Sequence, residues 1–138
     1  MRNHLKLGLG LVAVAMICAC ASAPTGPTDE ELVAQLVTNW MEAVAAKDLD
    51  SMMAIHSESF SNSEAADKAA WKAYLEWIMA SGYMDGAETD ISGAETTIEE
   101  DKATVGPMVL STAAGVFNME LSLAKEEAGW MVVSSEAR

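Results

Sequence analysis

His56 is the residue of this chain best suited to acid–base chemistry. It is the only histidine after Cys20, and the unperturbed pKa of an imidazole lies near neutrality, where a general base works best. His56 follows the apolar positions of residues 49–55, which places it at the end of a short amphipathic helix. A lone histidine in such a place is also commonly a packed structural residue, so catalytic and structural roles both stay open.

Catalysis by His56 would need partners. Abstraction of a proton next to a carbonyl requires a base at hydrogen-bond distance and a donor for the developing oxyanion. A carboxylate could pair with the imidazole, and a tyrosine hydroxyl could serve as the donor. Spacing along the chain assigns no partner to His56, and we expect Glu120 to point to solvent or to a dimer partner. The candidates are Asp90, Glu95, Glu120, Tyr74 and Tyr83.

Neither a metal nor an organic cofactor is expected. With one histidine and no cysteine after residue 20, only carboxylates are left as metal ligands, and no loop has the spacing of a calcium site. Nucleophile elbows, glycine loops that cradle phosphates and dinucleotide fingerprints are also absent from the sequence.

Aromatic and methionine side chains are the other chemical feature of the sequence. They would give an adaptable interior able to accept a small apolar molecule. Side chains of these types at helical spacing also simply fill a core, and both interpretations stay open. We take Trp40, Phe60, Trp71 and Tyr74 as the candidate pocket residues. The wider set is Trp40, Met41, Met52, Met53, Phe60, Trp71, Trp77, Met79, Met84, Met108, Met119 and Trp130.

The amino-terminal segment has the pattern of an export signal. Arg2, His4 and Lys6 precede an apolar run over residues 7–17. Eleven helical residues span roughly 16 Å, well short of the ~30 Å hydrocarbon core of a bilayer, so a cleavable signal peptide over residues 1–19 fits better than a transmembrane helix.

The end of this segment resembles the lipobox of bacterial lipoproteins. Ile17-Cys18-Ala19-Cys20 places a branched residue at −3 and a small residue at −1 before Cys20, the expected site of lipidation. An ordinary secretory signal with an incidental Cys20 is the alternative. Residues 20–27 then form the lipidated end and a flexible tether. Because Ala21 is not Asp, the resemblance implies the periplasmic face of the outer membrane of a Gram-negative bacterium; a Gram-positive host would leave the protein on its plasma membrane.

Length and charge limit what the remaining chain can do. Residues 28–138 are enough for one domain with one core. The whole chain has a net charge of −13, and loss of Arg2 and Lys6 with the signal would make the charge more negative still. Nucleic acid is therefore excluded as a partner, and anionic lipid head groups are poor ones, because both require a basic patch.

Three helices are predicted in the first half of the domain. Thr28 opens a capping box with Glu31, and helix one runs to about residue 46. Asp48 can cap a short second helix over 49–55. A second capping box over residues 61–64 predicts a third helix over about 63–81, with Gly82 suited to the left-handed position after it.

The second half has the period of β-strands. Strands are expected over about 88–99, 102–111, 116–125 and 130–135, and their short connections indicate antiparallel neighbours. In the third strand Phe117 and Met119 alternate with Asn118 and Glu120, which gives one buried and one polar face. Pro107 cannot donate to a ladder and predicts a bulge or an edge position. The layout is α+β, with three N-terminal helices packed on an antiparallel sheet of about four strands.

This layout resembles the SnoaL-like members of the nuclear transport factor 2-like superfamily. The resemblance rests on residues 36–60, with Trp40, the turn Ala-Ala-Lys-Asp-Leu-Asp at 45–50 and Met-Met-Ala-Ile-His at 52–56, and on the ending Leu-Ser-Leu-Ala-Lys-Glu-Glu-Ala-Gly-Trp-Met-Val at 121–132. It implies a cystatin-like cone, a strongly curved sheet around the helices, with a pocket at its open end. Many members form homodimers through the sheet.

The resemblance leaves two hypotheses for function. The first is a lipid-anchored, non-catalytic domain of the cell envelope that binds a small apolar ligand or another envelope protein, as a homodimer. The second is an isomerase or cyclase with His56 as general base in the cone. The position of His56 relative to a carboxylate distinguishes them, because proton abstraction needs an oriented base.

Overall fold

Three helices and five strands form one α+β layer structure in the computed structural model, which describes residues 25–138. The predicted signal peptide and lipidation at Cys20 lie outside the described residues. The helices are α1 (Asp29–Ala46), α2 (Leu49–Ala54) and α3 (Lys68–Ala80); the strands are β1 (Glu88–Asp90), β2 (Glu95–Glu99), β3 (Lys102–Thr112), β4 (Gly115–Glu126) and β5 (Gly129–Ala137).

The first two helices begin and end where their capping residues predict. The Thr28 hydroxyl accepts from the Glu31 amide at 3.2 Å, and the Glu31 carboxylate accepts from the Thr28 amide at 2.8 Å, so the predicted capping box is confirmed. Lys47 takes a left-handed conformation and ends α1. The carboxylate of Asp48 accepts from the Ser51 amide and starts α2, also as predicted.

The predicted start of the third helix is wrong. The carbonyl oxygen of the Asn62 side chain accepts from the amides of Glu64 and Ala65, and this forms a turn rather than a helical cap. The helix begins five residues later than expected, where the Asp67 carboxylate accepts from the Ala70 amide. The amide nitrogen of the Asn62 side chain also donates to the Ser135 carbonyl at 3.0 Å, and this bond holds the turn against β5.

The sheet is antiparallel, as predicted, but it has five strands rather than about four. The expected strand over 88–99 is two strands of the same direction, because a turn in which the Ala94 amide donates to the Ile91 carbonyl interrupts it. Both pieces pair with β3, and the order of the sheet is β1-β3-β4-β5 with β2 also on β3.

Two irregularities interrupt the register of the long strands. Pairing of β3 with β4 shifts between Val105 and Met108, so Pro107 lies at a bulge inside a central strand and not at an edge. A second shift lies on the pairing of β4 with β5, after Ser122. Bulges of this kind bend a strand and increase its twist, which lets the sheet curve around the helices.

The core lies between the helices and one face of the sheet. Val33 and Trp40 of α1 and the inward residues of β4 belong to the same buried cluster, and Glu120 and Asn118 alternate outward on β4 as predicted. Among residues 25–138, the buried residues all fall between positions 33 and 135. Among residues 25–138, none of the helices combines the length and apolar character needed to span a bilayer.

Candidate functional site

A cavity of about 520 Å³ opens between the helices and the sheet. Every helix contributes to its wall, and so do the three long strands, because the apolar faces of both layers do not close completely on each other. Most of the lining side chains are apolar or aromatic. The buried wall consists of Trp40, Val44, Met52, His56, Trp71, Leu75, Met84, Leu110, Met119 and Ser135.

The mouth of the cavity is marked by the lining residues that are exposed. Trp77 and Tyr83 are 55% and 46% exposed, and Tyr83 is held against the β3–β4 turn because its carbonyl accepts from the Ala114 amide. The start of α1 is at the other end of β4, where the Asp29 carboxylate binds Lys125 and the Trp130 indole. At ~3.3 Å per residue, the 12 residues of β4 span roughly 36 Å along the strand.

His56 lies on the buried wall of this cavity, directly after α2. Its backbone forms an isolated bridge to Val132 of β5, and the side chain is 2% exposed. Nδ1 is 2.6 Å from the Met52 carbonyl oxygen, which can only accept, so Nδ1 carries the proton. Nε2 then accepts from the Trp71 indole N–H at 3.1 Å.

These two bonds define the electrostatic state of His56. Burial lowers the pKa of His56 below its usual 6.5, the Met52 carbonyl opposes this, and the positive charge of Lys68 lowers the pKa further. The imidazole is therefore neutral at pH 7. Within residues 25–138 neither ring nitrogen is bonded to a carboxylate, so the pair that would orient a general base is not formed in this structure.

Aromatic rings follow one another from the buried wall to the mouth. Neighbouring centroids lie 4.8 to 6.0 Å apart along the series, distances at which aromatic rings attract one another. Trp71 and Tyr74 stack nearly parallel, with 19° between their planes. The series runs through His56, Phe60, Trp71, Tyr74, Trp77 and Tyr83.

The structure brings three of the four candidate pocket residues to the cavity. Trp40, Trp71 and Tyr74 line it, whereas Phe60 is buried behind it, edge-on to His56 and against Trp71. Tyr83 belongs to the mouth.

The candidate carboxylates lie elsewhere. Asp90, Glu95 and Glu120 are exposed and do not line the cavity. Asp90 instead accepts from the Ser92 amide in the turn after β1, and this bond lowers its pKa.

Two charged residues that the sequence did not single out belong to the lining. Glu64 and Arg138 are both exposed and stand at the mouth. Burial raises the pKa of Tyr74, and the charge of Glu64 raises it further, so the Tyr74 hydroxyl keeps its proton at neutral pH. Residues 61–64 were interpreted from their spacing only as a helix cap, and Arg138 follows β5, so sequence spacing gave no signal that either charge lines a cavity. No group of three metal-ligating side chains occurs within residues 25–138.

Comparison with known proteins identifies the fold. No family model matches the sequence, and neither does any curated protein. A candidate dehydratase of the nuclear transport factor 2-like family from Streptomyces avermitilis superposes with a TM-score of 0.65 at 14% identity, over 79% of this chain and 94% of that one. A nuclear transport factor 2-like protein with a cystatin-like fold from Novosphingobium aromaticivorans gives 0.62 at 20% identity, over 79% and 80%.

A third structure shows the same unit inside a longer chain. The Bdellovibrio bacteriovorus protein Bd1075 superposes with a TM-score of 0.65 at 13% identity over 76% of this chain, which spans 38% of the length of Bd1075. At these identities the likeness shows architecture and not activity. The helices and the antiparallel sheet described above form the cystatin-like fold of the nuclear transport factor 2-like proteins.

Proposed function

We propose that this domain binds a small apolar molecule in the cavity between its helices and sheet and does not transform it. The observation that carries the proposal is the cavity itself, about 520 Å³ with a mainly apolar and aromatic wall. This size lies within the range of pockets that enclose small molecules, and apolar burial provides the driving force for binding.

The state of His56 supports binding without catalysis. Its basic nitrogen already accepts the Trp71 N–H, and burial favours the neutral form. A base whose lone pair is bonded within the protein must break that bond before it can take a proton from a ligand. The carboxylates Asp90, Glu95 and Glu120 are too exposed to serve as an inner partner.

A cavity-filling substitution tests the proposal. Leu110→Trp adds bulk to a buried wall residue, and Ile91→Trp adds the same bulk at an exposed position that does not line the cavity. The neutral fluorescent probe N-phenyl-1-naphthylamine should bind the chain from Ser22, which retains every buried residue of the described part. We expect Leu110→Trp to weaken binding at least tenfold, about 1.4 kcal/mol, and Ile91→Trp to leave it unchanged.

Two results would contradict the proposal. One is a wild-type chain that does not bind the probe, and the other is a Leu110→Trp variant that is folded by circular dichroism and binds normally. Mass spectrometry of the chain isolated from its host should also find a small apolar molecule that copurifies.

We also propose that the domain is held in the cell envelope by lipid on Cys20. The sequence Ile17-Cys18-Ala19-Cys20 supports this, and the several acyl chains of a lipoprotein bind a bilayer far more tightly than one chain does. Labelled palmitate should enter the wild-type chain and not Cys20→Ser. Equal labelling of both chains, or labelling of neither, would be incompatible with the anchor.

Proton-transfer catalysis with His56 as base is the second candidate. The position of His56 on the cavity wall favours it. Turnover of an enolisable ketone that is lost in His56→Gln would support it over simple binding.

A further inference from the structure

Helix α3 is held to the rest of the fold by little buried surface. Only two of its thirteen residues, Trp71 and Leu75, are buried. Its inner face borders the cavity instead of closing against the sheet, through Trp71, Tyr74, Leu75, Trp77 and Ile78. Elements with few buried apolar contacts move at a lower cost in free energy than the rest of a fold. α3 is thus the wall of the cavity that can move most easily.

One buried hydrogen bond fixes this wall to the domain. Among the described residues, two side-chain hydrogen bonds join α3 to other segments. Lys68 binds Glu58 at 2.7 Å on the surface, and the Trp71 indole N–H donates to His56 Nε2 at 3.1 Å in the interior. Because exposed ion pairs contribute little to stability, the bond between Trp71 and His56 is the more important of these two restraints.

This bond exists only while His56 is neutral. Nδ1 already carries a proton and donates to the Met52 carbonyl, so Nε2 is the nitrogen that can take up another. A proton from solvent on Nε2 turns this acceptor into a donor, which then faces the N–H of Trp71, and Trp71 keeps its own proton. Two donors cannot bond to each other, and both would be left buried without an acceptor. The contact between His56 and Trp71 must therefore break on protonation.

The charges around His56 favour this break. Lys68 of α3 is positive and disfavours a second positive charge, and its partner Glu58 is 90% exposed. Glu126, at the end of β4, binds the Ser57 hydroxyl and not the ring. α2 and β5 present backbone groups to His56. A charged imidazole is therefore stabilised by movement toward water. The other titratable residues that line the cavity are Glu64, Tyr74, Tyr83 and Arg138.

We propose that protonation of His56 Nε2 releases α3 and opens the cavity, so that acid lowers the affinity of the domain for its apolar ligand. This inference rests on the proposed function and describes the regulation of the same site. A ligand that contacts the inner face of α3 favours the closed wall, and the closed wall requires a neutral His56. Ligand and proton thus oppose each other. The coupling is reciprocal, so a bound ligand must make His56 harder to protonate by the same factor.

Affinity measured against pH tests the inference. The chain from Ser22 is titrated with N-phenyl-1-naphthylamine, which stays neutral, between pH 7 and pH 4. Burial and the charge of Lys68 lower the pKa of His56 below 6.5. Below that lowered pKa the wild-type affinity should fall by up to tenfold per pH unit, as expected for one proton. His56→Gln cannot become charged and should lose affinity far less over the same range.

A second pair of variants changes the charge beside His56 and leaves the cavity wall intact. Lys68 does not line the cavity. Lys68→Met removes a positive charge that disfavours the imidazolium, so the fall in affinity should begin at a higher pH than in wild type. Lys72→Met is the matched control, because Lys72 is exposed, lies one turn further along α3 and forms no ion pair among the described residues. It should leave the pH dependence unchanged.

A third measurement uses wild type alone and does not depend on the folding of a variant. His56 is the only histidine of the chain from Ser22, so its ring protons can be followed by NMR without ambiguity. Saturation with the probe should move the titration of His56 to lower pH, by the same factor by which acid weakens binding.

The outcomes separate the acid inference from the function it rests on. An affinity that does not change down to pH 4, an equal fall in wild type and His56→Gln, or a His56 titration that the probe does not move would overturn the inference and leave the apolar cavity standing. Loss of far-UV circular dichroism over the same range would also overturn it, because the whole domain and not α3 would then respond to acid. Failure of wild type to bind the probe at pH 7 would overturn both.

Discussion

At the scale of single residues, His56 shows how neighbours decide what a side chain can do. Sequence alone identified it as the one histidine of the domain and left its role open. The Met52 carbonyl and the Trp71 indole then occupy its two nitrogens. The first partner is one helical turn away and follows from local structure. Trp71 is fifteen residues away, and only the packing of α3 on α2 brings it to His56.

Acid should destabilise the domain through His56. Because the pKa of His56 is lower in the fold than its usual 6.5, the unfolded chain binds more protons just below that value. Its contribution to stability is complete above pH 6.5 and is lost as the pH falls below 6.5 through the folded pKa. The thermal midpoint of the chain from Ser22 should fall from pH 7 to pH 5, and less so in His56→Gln.

Asp29 affects stability in a separate, lower pH range than His56. Hydrogen bonds from Lys125 and Trp130 lower the pKa of Asp29, so its contribution to stability is present above pH 3.8 and lost as the pH falls below that value.

The His56 prediction would be contradicted if the thermal midpoints of wild type and His56→Gln fell equally between pH 7 and pH 5. That result would show that the pKa of His56 does not change on folding.

At the scale of elements, sequence predicted best where the determining contacts are local. The caps at Thr28 and Asp48 are bonds between residues three positions apart, and the bounds of α1 and α2 follow from them. The start of α3 was predicted wrongly because Asn62 binds Ser135 of β5, a tertiary contact. The cavity was predictable only as a set of apolar side chains, since its mouth depends on how the β3–β4 turn meets Tyr83.

The cap of α1 can be tested by Thr28→Ala. Loss of the hydroxyl leaves the Glu31 amide without its acceptor, and the free energy of unfolding should fall by about 1 kcal/mol. Thr28→Ser keeps the oxygen and should stay within a few tenths of wild type. Urea denaturation measures both, and equal losses in the two variants would show that the hydroxyl bond is not the cause.

The bulge in β3 has a strict steric requirement at Gly106. A Cβ atom there would meet the Met119 carbonyl oxygen at 2.9 Å and Glu120 Cα at 3.1 Å, both backbone atoms of β4 that cannot move aside cheaply. Gly106→Ala should therefore cost roughly 2–3 kcal/mol.

Gly93→Ala is the matched control for this substitution, because a Cβ at Gly93 meets nothing within 4 Å. Chemical denaturation should show Gly93→Ala within about 0.5 kcal/mol of wild type. A Gly106→Ala variant as stable as Gly93→Ala would mean that β3 and β4 separate to accommodate the methyl group.

At the scale of the whole molecule, charge is the dominant feature. The sequence has 21 acidic side chains and only eight lysine and arginine side chains. The described part has three ion pairs, between Lys47 and Asp85, Lys68 and Glu58, and Lys125 and Asp29, each with an exposed partner. Exposed pairs contribute at most about 1 kcal/mol each.

Salt should therefore stabilise the fold. Repulsion among the excess carboxylates is screened once the Debye length falls from ~30 Å at 0.01 M to ~10 Å at 0.1 M. The thermal midpoint at pH 7 should rise between 0.01 M and 0.3 M sodium chloride. A midpoint that falls with salt would mean that the three ion pairs outweigh the repulsion.

A group attached before α1 and a ligand that enters the cavity would lie at opposite ends of β4. Asp29 fixes the beginning of α1 beside Lys125 and Trp130, whereas Tyr83 and Ala114 border the cavity at the far end of the strand. A bead, dye or carrier protein joined ahead of Thr28 would thus be sterically independent of a guest that enters or leaves. The start of α1 and the mouth of the cavity therefore lie at opposite ends of β4.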